Sequence, residues 1–263
     1  MVQDTIEIAN AGATGLPLQG QVALITGGVR RIGRATALAF GRAGADVVIN
    51  ARSSRDEAEA TAEEVEALGV RAMVHLADVT DESAVASMTD AVLDRFGRLD
   101  ILVNNAAIRR EGAFTELSLS EWREIMSVVL EGAFLCSRAA IPHMVRQGGG
   151  RIVNIGGVSA HTGAIARAHV ATAKMGLVGL THALAVEFAP AGITVNCIAP
   201  GKIGGKRSAT SGAGVALPHG GMPLVNREGA PEDVAEVILA VCGPAGGFIT
   251  GQTIHINGGL HLT

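Results

Sequence analysis

The chain has 263 residues, with 21 Lys and Arg against 25 Asp and Glu, a net charge of −4 and no tyrosine at any position. That length allows one large domain or two small ones, and 48% hydrophobic residues supply a large core. A slightly acidic chain with interspersed charges lacks the basic excess that phosphate backbones reward, which argues against nucleic acid as a partner.

The first residues carry Asp4 and Glu7 and no basic side chain before Arg30, the opposite of a secretory or transit leader. A polar lead, residues 1–17, ends at Pro17 and precedes a single domain over 18–263. Val22–Thr26 predicts a strand, Ile32–Ala43 a helix, Val47–Asn50 a strand, and Arg55–Leu68 a helix opened by a capping box at Ser54 and Glu57. Ala72–Leu76 is the next strand, followed by a helix over Glu82–Phe96 and a strand over Ile101–Asn104. A second capping box, Ser118 with Glu121, begins a long helix over Glu121–Arg146, in which Pro142 predicts a kink or a late stop before Gly148–Gly150. Ile152–Ile155, Thr194–Ile198 and Thr253–Ile256 complete seven strands, and Ala168–Phe188 and Pro231–Cys242 are helices. Continuous Val/Ile runs joined by helices predict an α/β fold, a doubly wound, seven-stranded parallel sheet with helices on both faces. The irregular stretch Gly201–Gly229, rich in Gly, Ser and Pro, reads as a substrate-side loop.

Cys136, Cys197 and Cys242 are odd in number and far apart, so they predict small buried hydrophobes in a reducing, cytoplasmic setting. Val237–Thr263 has no Asp, Glu, Lys or Arg, yet polar residues and Gly interrupt it too often for a bilayer span of ~20 apolar residues. It predicts core or subunit interface, with no membrane partner. His75, His143, His182, His219, His255 and His261 show no metal-ligand spacing and read as ordinary histidines, so no metal is expected.

The first strand runs into Thr26-Gly27-Gly28-Val29-Arg30-Arg31-Ile32-Gly33 and a helix follows. Glycines at the turn and at the helix start let backbone N–H groups approach a pyrophosphate, whose charge the helix N-terminus favours. At these residues the chain resembles the short-chain dehydrogenase/reductase family, with its Thr-Gly-x-x-x-Gly-x-Gly loop. Asp78-Val79, Asn104-Asn105-Ala106-Ala107, Asn196 with Pro200-Gly201, Arg227 with Pro231 to Ala235, and Thr250-Gly251-Gln252 with Asn257-Gly258-Gly259 are similar to further segments of the family in order and spacing. The likeness covers about residues 20 to 260. It implies a Rossmann-like domain that binds a nicotinamide dinucleotide through Thr26, Gly27, Arg30, Arg31, Ile32, Gly33, Asp78, Val79, Asn105, Ala106, Lys174, Pro200 and Gly201. Arg31 replaces the loop's middle glycine, as in pteridine reductases of the family. Arg52 stands after the second strand, where an NAD enzyme would place an acid, and a guanidinium there can hold a 2′-phosphate, so NADP(H) is preferred over NAD(H).

The resemblance also implies an Asn, Ser, Tyr, Lys set, of which Lys174 alone is present. Tyrosine's slot is Val170; serine's, thirteen positions earlier, is Gly157; asparagine's is Val129. A general acid is worth roughly 10²–10⁴ in rate and an oxyanion donor roughly 10²–10³, so ordinary ketone reduction and alcohol oxidation are expected to be crippled. Ser159, His161 and His169 are the replacement donors that the local sequence offers. An iminium carbon already carries positive charge and asks no proton from the protein, and a conjugated acceptor takes its proton from water. The leading expectation is therefore an NADP(H)-dependent reductase of an imine, an iminium or an activated double bond, acting on a small molecule. Two alternatives stay open: a redox-inactive homologue that senses nucleotide or serves as a partner subunit, and an enzyme doing non-redox chemistry in the same pocket. The uncharged C-terminal segment and the two longest helices are similar to the family's subunit contacts, which implies a homotetramer or homodimer.

Overall fold

The computed structural model describes residues 15–204 and 222–262. Residues 1–14 of the polar lead and 205–221 of the Gly201–Gly229 loop lie outside the described residues. Seven parallel strands form one sheet in the order β3-β2-β1-β4-β5-β6-β7: β1 Val22–Ile25, β2 Asp46–Ala51, β3 Ala72–Leu76, β4 Ile101–Asn104, β5 Gly150–Ile155, β6 Ile193–Pro200 and β7 Thr253–Ile256. The order reverses between β1 and β4, and their carboxyl ends open the crevice in which doubly wound folds take ligands.

Alternate residues of each strand feed opposite faces, as the pleat requires. Ala23 and Ile25 of β1 pack with Phe40 of α1 (Arg31–Arg42), Val65 of α2 (Arg55–Glu66) and Ile238 of α8 (Pro231–Cys242). Val22 and Leu24 face Met88 of α3 (Glu82–Phe96) and Met144 of α5 (Gly132–Arg146). Phe40 is fully buried; truncating such a side chain costs about 3–5 kcal/mol. Both faces are thus covered, and strands without polar alternation follow from that.

The capping box at Ser118 forms as predicted: its Oγ accepts from the Glu121 N–H at 3.2 Å while the Glu121 carboxylate accepts from the Ser118 N–H at 3.1 Å. The box at Ser54 does not form. A guanidinium outcompetes it, since Arg30 pairs with the Glu57 carboxylate and donates to Ser54 Oγ at 3.3 Å. The predicted long helix is three consecutive pieces: α4 Leu119–Met126, a π turn Ser127–Glu131, and α5, which carries Pro142 without stopping before Arg146. By length and composition Leu119–Arg146 could cross a membrane, but here it packs on α3, α7, β4 and β5. Two short elements were not foreseen in the sequence between β5 and β6: α6, Ser159–Thr162, and a 3₁₀ turn at Ala189–Ala191 behind α7 (Ala168–Phe188). Leu18 is fully buried and donates its N–H to the Ala43 carbonyl at 2.8 Å, while 15–17 are exposed.

Candidate functional site

The loop between β1 and α1 is built from the backbone outward. Gly27 sits at φ +62, in the region that disfavours side chains. A Cβ on Gly33 would lie 2.3 Å from the Gly27 carbonyl oxygen, so only glycine lets α1 start this close to the loop. The buried Thr26 hydroxyl accepts from the N–H groups of Asn105 at 2.9 Å and Ala106 at 3.0 Å, and the Asn105 amide donates back to the carbonyls of Thr26 at 3.0 Å and Gly27 at 2.8 Å. These four bonds staple the loop to the end of β4, across the switch point. The N-terminus of α1, with no acidic residue in its first turn, faces this cradle. Its fit to a pyrophosphate rests on that absence of Cβ atoms and on the dipole.

Each arginine is placed differently. Arg30 is held by Glu57 of α2, and Arg34 pairs with Glu64. Arg31 adopts φ +47, unusual for a residue with a side chain. Its guanidinium donates to the carbonyls of Ile203 at 2.7 Å and Gly204 at 3.2 Å, anchoring the chain beyond β6. Arg52 is exposed just past β2, with no hydrogen-bond partner among the described residues. Ile32 is buried in the core beneath the loop, so only its backbone is available to a ligand. Asp78 holds the next turn, accepting from the Thr80 N–H at 3.0 Å and hydroxyl at 2.8 Å. Val79 is buried with its Cγ2 where a Cβ on Gly132 would come within 2.8 Å. Pro200 ends β6, and Gly201 passes so close to Asn257 that a Cβ would meet its Cα at 2.6 Å.

Lys174 is buried on α7 and donates its Nζ to the Ile155 carbonyl at the end of β5. Burial, with the Arg109 charge as a second cause, lowers its pKa from 10.5 to about 7. One turn earlier, Val170 packs with Ile125, Val129, Ala133, Ala173 and Leu177 in an apolar cluster. Val129 lies within the π turn, a distortion that often marks functional sites. Gly157 is the contrast: a Cβ there would meet nothing within 4 Å. The positions at which the resemblance implies Asn and Tyr are therefore filled with hydrocarbon, and the one for Ser is open.

The three replacement donors differ in setting, Ser159 and His161 on α6 and His169 on α7. His169 is buried with neither ring nitrogen hydrogen-bonded among the described residues; burial lowers its pKa, and its charged neighbours are Glu121, Arg110 and Arg167. Ser159 opens α6. His161, on α6, is not isolated: its ring meets His255 of β7 edge-on, centroids 4.5 Å apart, and stacks on His261 at 5.8 Å. Two of the histidines that spacing alone made ordinary thus converge with a third. Burial, with neighbouring imidazoles, lowers the pKa of both His161 and His255.

Two site residues have no signal in local pattern. Arg109 is exposed beyond β4, its segment fixed by the Arg110–Glu124 and Arg167–Glu111 pairs and by the Gly112 N–H on Ala166 at 3.0 Å. Cys197 of β6 interacts electrostatically with Lys174, and burial pushes its own pKa up to about 11. A cleft of about 350 Å³ lined by Gln21, Arg98, Asp100 and Gln147 lies at the opposite, amino-terminal edge of the sheet, away from all these groups.

A family model described as enoyl-(acyl carrier protein) reductase matches residues 27–261. The chain is 41% identical to a protein of Thauera aromatica named (2S)-[(R)-hydroxy(phenyl)methyl]succinyl-CoA dehydrogenase subunit BbsD, over 93% of this chain and 98% of that one. It is 37% identical to the 3-oxoacyl-[acyl-carrier-protein] reductase FabG of Aquifex aeolicus, over 93% and 99% of the two chains. Among solved structures, a short-chain dehydrogenase from Burkholderia cenocepacia in complex with NADP superposes with a TM-score of 0.84 at 37% identity, covering 93% of this chain and 99% of that one.

Proposed function

Because this chain belongs to the short-chain dehydrogenase/reductase family, we propose that it is an NADP(H)-dependent oxidoreductase of that family whose pocket reduces an imine, an iminium or another activated double bond of a small molecule. What carries the reading is one pairing: a complete nucleotide loop, closed at Gly33 and stapled to Asn105, beside a proton-transfer site walled by Val129 and Val170. The dinucleotide, when bound, supplies a hydride. The backbone from Gly27 to Gly33 and the start of α1 take the pyrophosphate, Asp78 and Val79 border the adenine, and Asn105, Ala106, Pro200 and Gly201 border the nicotinamide end. Arg52, with Arg30 on the same side against Ser54, takes the 2′-phosphate in a bidentate geometry, while Arg31 is committed to the carbonyls of Ile203 and Gly204. Lys174 holds the nicotinamide ribose. Val129 and Val170 offer no proton: an iminium, or an imine protonated in solution before it binds, needs none because hydride addition gives the neutral amine directly, and a conjugated acceptor takes its proton from water after hydride addition. The relative solved with NADP supports the cofactor preference, and exposed Phe134, Met175 and Val186 on α5 and α7 support a homo-oligomer.

Fluorescence titration with NADPH and NADH, followed by NADPH oxidation over cyclic imines and ketones, tests this. Tighter NADPH than NADH binding, and imine turnover at least ~10²-fold above ketone turnover, are expected. No nucleotide bound at high micromolar concentration would sink the reading, and efficient ketone turnover would refute the account of the pocket.

A second reading has its own support, since the relative from Thauera aromatica is named as a dehydrogenase subunit. In that case this chain binds nucleotide, turns over nothing alone, and serves as the partner of an active homologue.

A further inference from the structure

Three imidazoles meet although their spacing along the chain matches no metal motif. His161, His255 and His261 each present a ring nitrogen within 4.8 Å of the others, and all three are half-buried. Nδ1 of His255 is fully interior and has no hydrogen-bond partner among the described residues, a costly state for a polar atom unless something binds it. No carboxylate belongs to the cluster.

The backbone holds these side chains in place. His255 is paired in the ladder with Ala199 of β6. The segment beyond β7 is folded back by Asn257, whose amide donates to the His261 carbonyl at 2.9 Å and whose side-chain oxygen accepts the Gly259 N–H at 2.8 Å. His161 sits on α6, which the Val158 N–H ties to the Pro200 carbonyl at 2.9 Å. All three anchors lead to the carboxyl ends of β6 and β7, the edge on which Gly157 also lies.

We propose that His161, His255 and His261 form a binding site for a divalent transition ion, with zinc the best match. Imidazole nitrogens suit zinc and its neighbours, whereas hard cations seek oxygen donors. Ligand nitrogens ~2.0–2.1 Å from a tetrahedral ion stand about 3.4 Å apart, so side-chain rotation closes the cluster without moving the sheet. Three histidines leave the fourth position for water or a substrate atom, the arrangement of catalytic zinc centres as opposed to closed structural ones.

The test uses the full, untagged chain after dialysis against chelator, with Zn²⁺ titrated calorimetrically and Co²⁺ as a visible probe of coordination. One ion per chain is expected, with ligand-field bands of a low-coordinate Co²⁺ site. His161→Gln, His255→Gln and His261→Gln should each weaken binding at least ~10-fold, whereas His75→Gln and His143→Gln should leave it unchanged. Far-UV circular dichroism and NADPH binding report folding; if the strand variant His255→Gln misfolds, His261→Gln beyond the last strand carries the test. No Zn²⁺ bound at high micromolar concentration, or binding indifferent to all three substitutions, overturns the site and leaves stacked histidines only. Neither readout depends on turnover, so the metal site stands or falls apart from the proposed reaction.

Discussion

Lys174 donates its Nζ to the carbonyl oxygen of Ile155, tying an interior ammonium on α7 to the last residue of β5. Burial of this group has a consequence for stability. The unfolded chain keeps the lysine proton up to a pKa near 10.5, and the fold releases it near 7. The folded value is the depressed one, so the protonated form costs stability in full below pH 7, and the cost disappears as pH rises toward 10.5. Lys174→Met should therefore gain most in Tm over the parent at pH 6, with the gain shrinking as pH rises. Calorimetric Tm values across that range check it, and a difference flat in pH would contradict the depressed value.

The Arg109 charge is the second cause of the low Lys174 pKa. Arg109→Gln should raise the pH midpoint of any NADPH-binding or rate limb that Lys174 governs, with the fold unaltered because Arg109 is exposed. pH titrations of the two proteins compare the midpoints; coincident curves would remove Arg109 from the site.

Gly33→Ala puts a Cβ 2.3 Å from a backbone oxygen that is itself stapled to Asn105. Overpacking of this kind costs about 1–3 kcal/mol. Denaturant melts should register that loss, and NADPH binding should fall at least tenfold, because relief requires α1 to withdraw from the loop.

Glu57 holds the Arg30 guanidinium. Glu57→Gln should free that guanidinium and tighten NADPH binding several-fold with NADH unchanged, while Arg52→Ala should weaken NADPH selectively. Dissociation constants for both nucleotides decide it, and equal effects on the two would remove the 2′-phosphate from the account.

Gly157→Ser meets open space and should fold normally. Val170→Tyr must enlarge a residue packed against Val129 and Leu177. The double variant should raise ketone reduction by about 10²-fold or more if the rest of the pocket is intact. Steady-state NADPH oxidation with a ketone measures this, and no gain would mean the pocket has been rebuilt around another chemistry.

The strands were legible because burial on both faces leaves uninterrupted Val/Ile runs; β3, β4 and β7 match the predicted bounds. The nucleotide loop was legible because Gly27 and Gly33 are demanded by local backbone geometry. What escaped depends on distant partners. Ser54 reads as a cap until Arg30, far away in sequence, claims Glu57. The π turn at Ser127–Glu131 has no composition of its own, since it is a phase slip between two ordinary helical stretches. Arg109 acts through a charge on a lysine that tertiary folding brings near, and the three histidines belong to an α-turn, an edge strand and a tail that only the finished sheet assembles.

The openness at Gly157 and the close packing at Val170 bear unequally on substitution. A glycine codon ending in a pyrimidine lies one nucleotide from serine, and the space for that side chain already exists. No valine codon lies fewer than two from tyrosine, and the ring would have to displace a packed core. A serine hydroxyl at 157 is thus reachable by one base change and enters open space, whereas a tyrosine ring at 170 needs two and must displace residues packed in the Val129 cluster, so the two substitutions are unequally accessible to this chain.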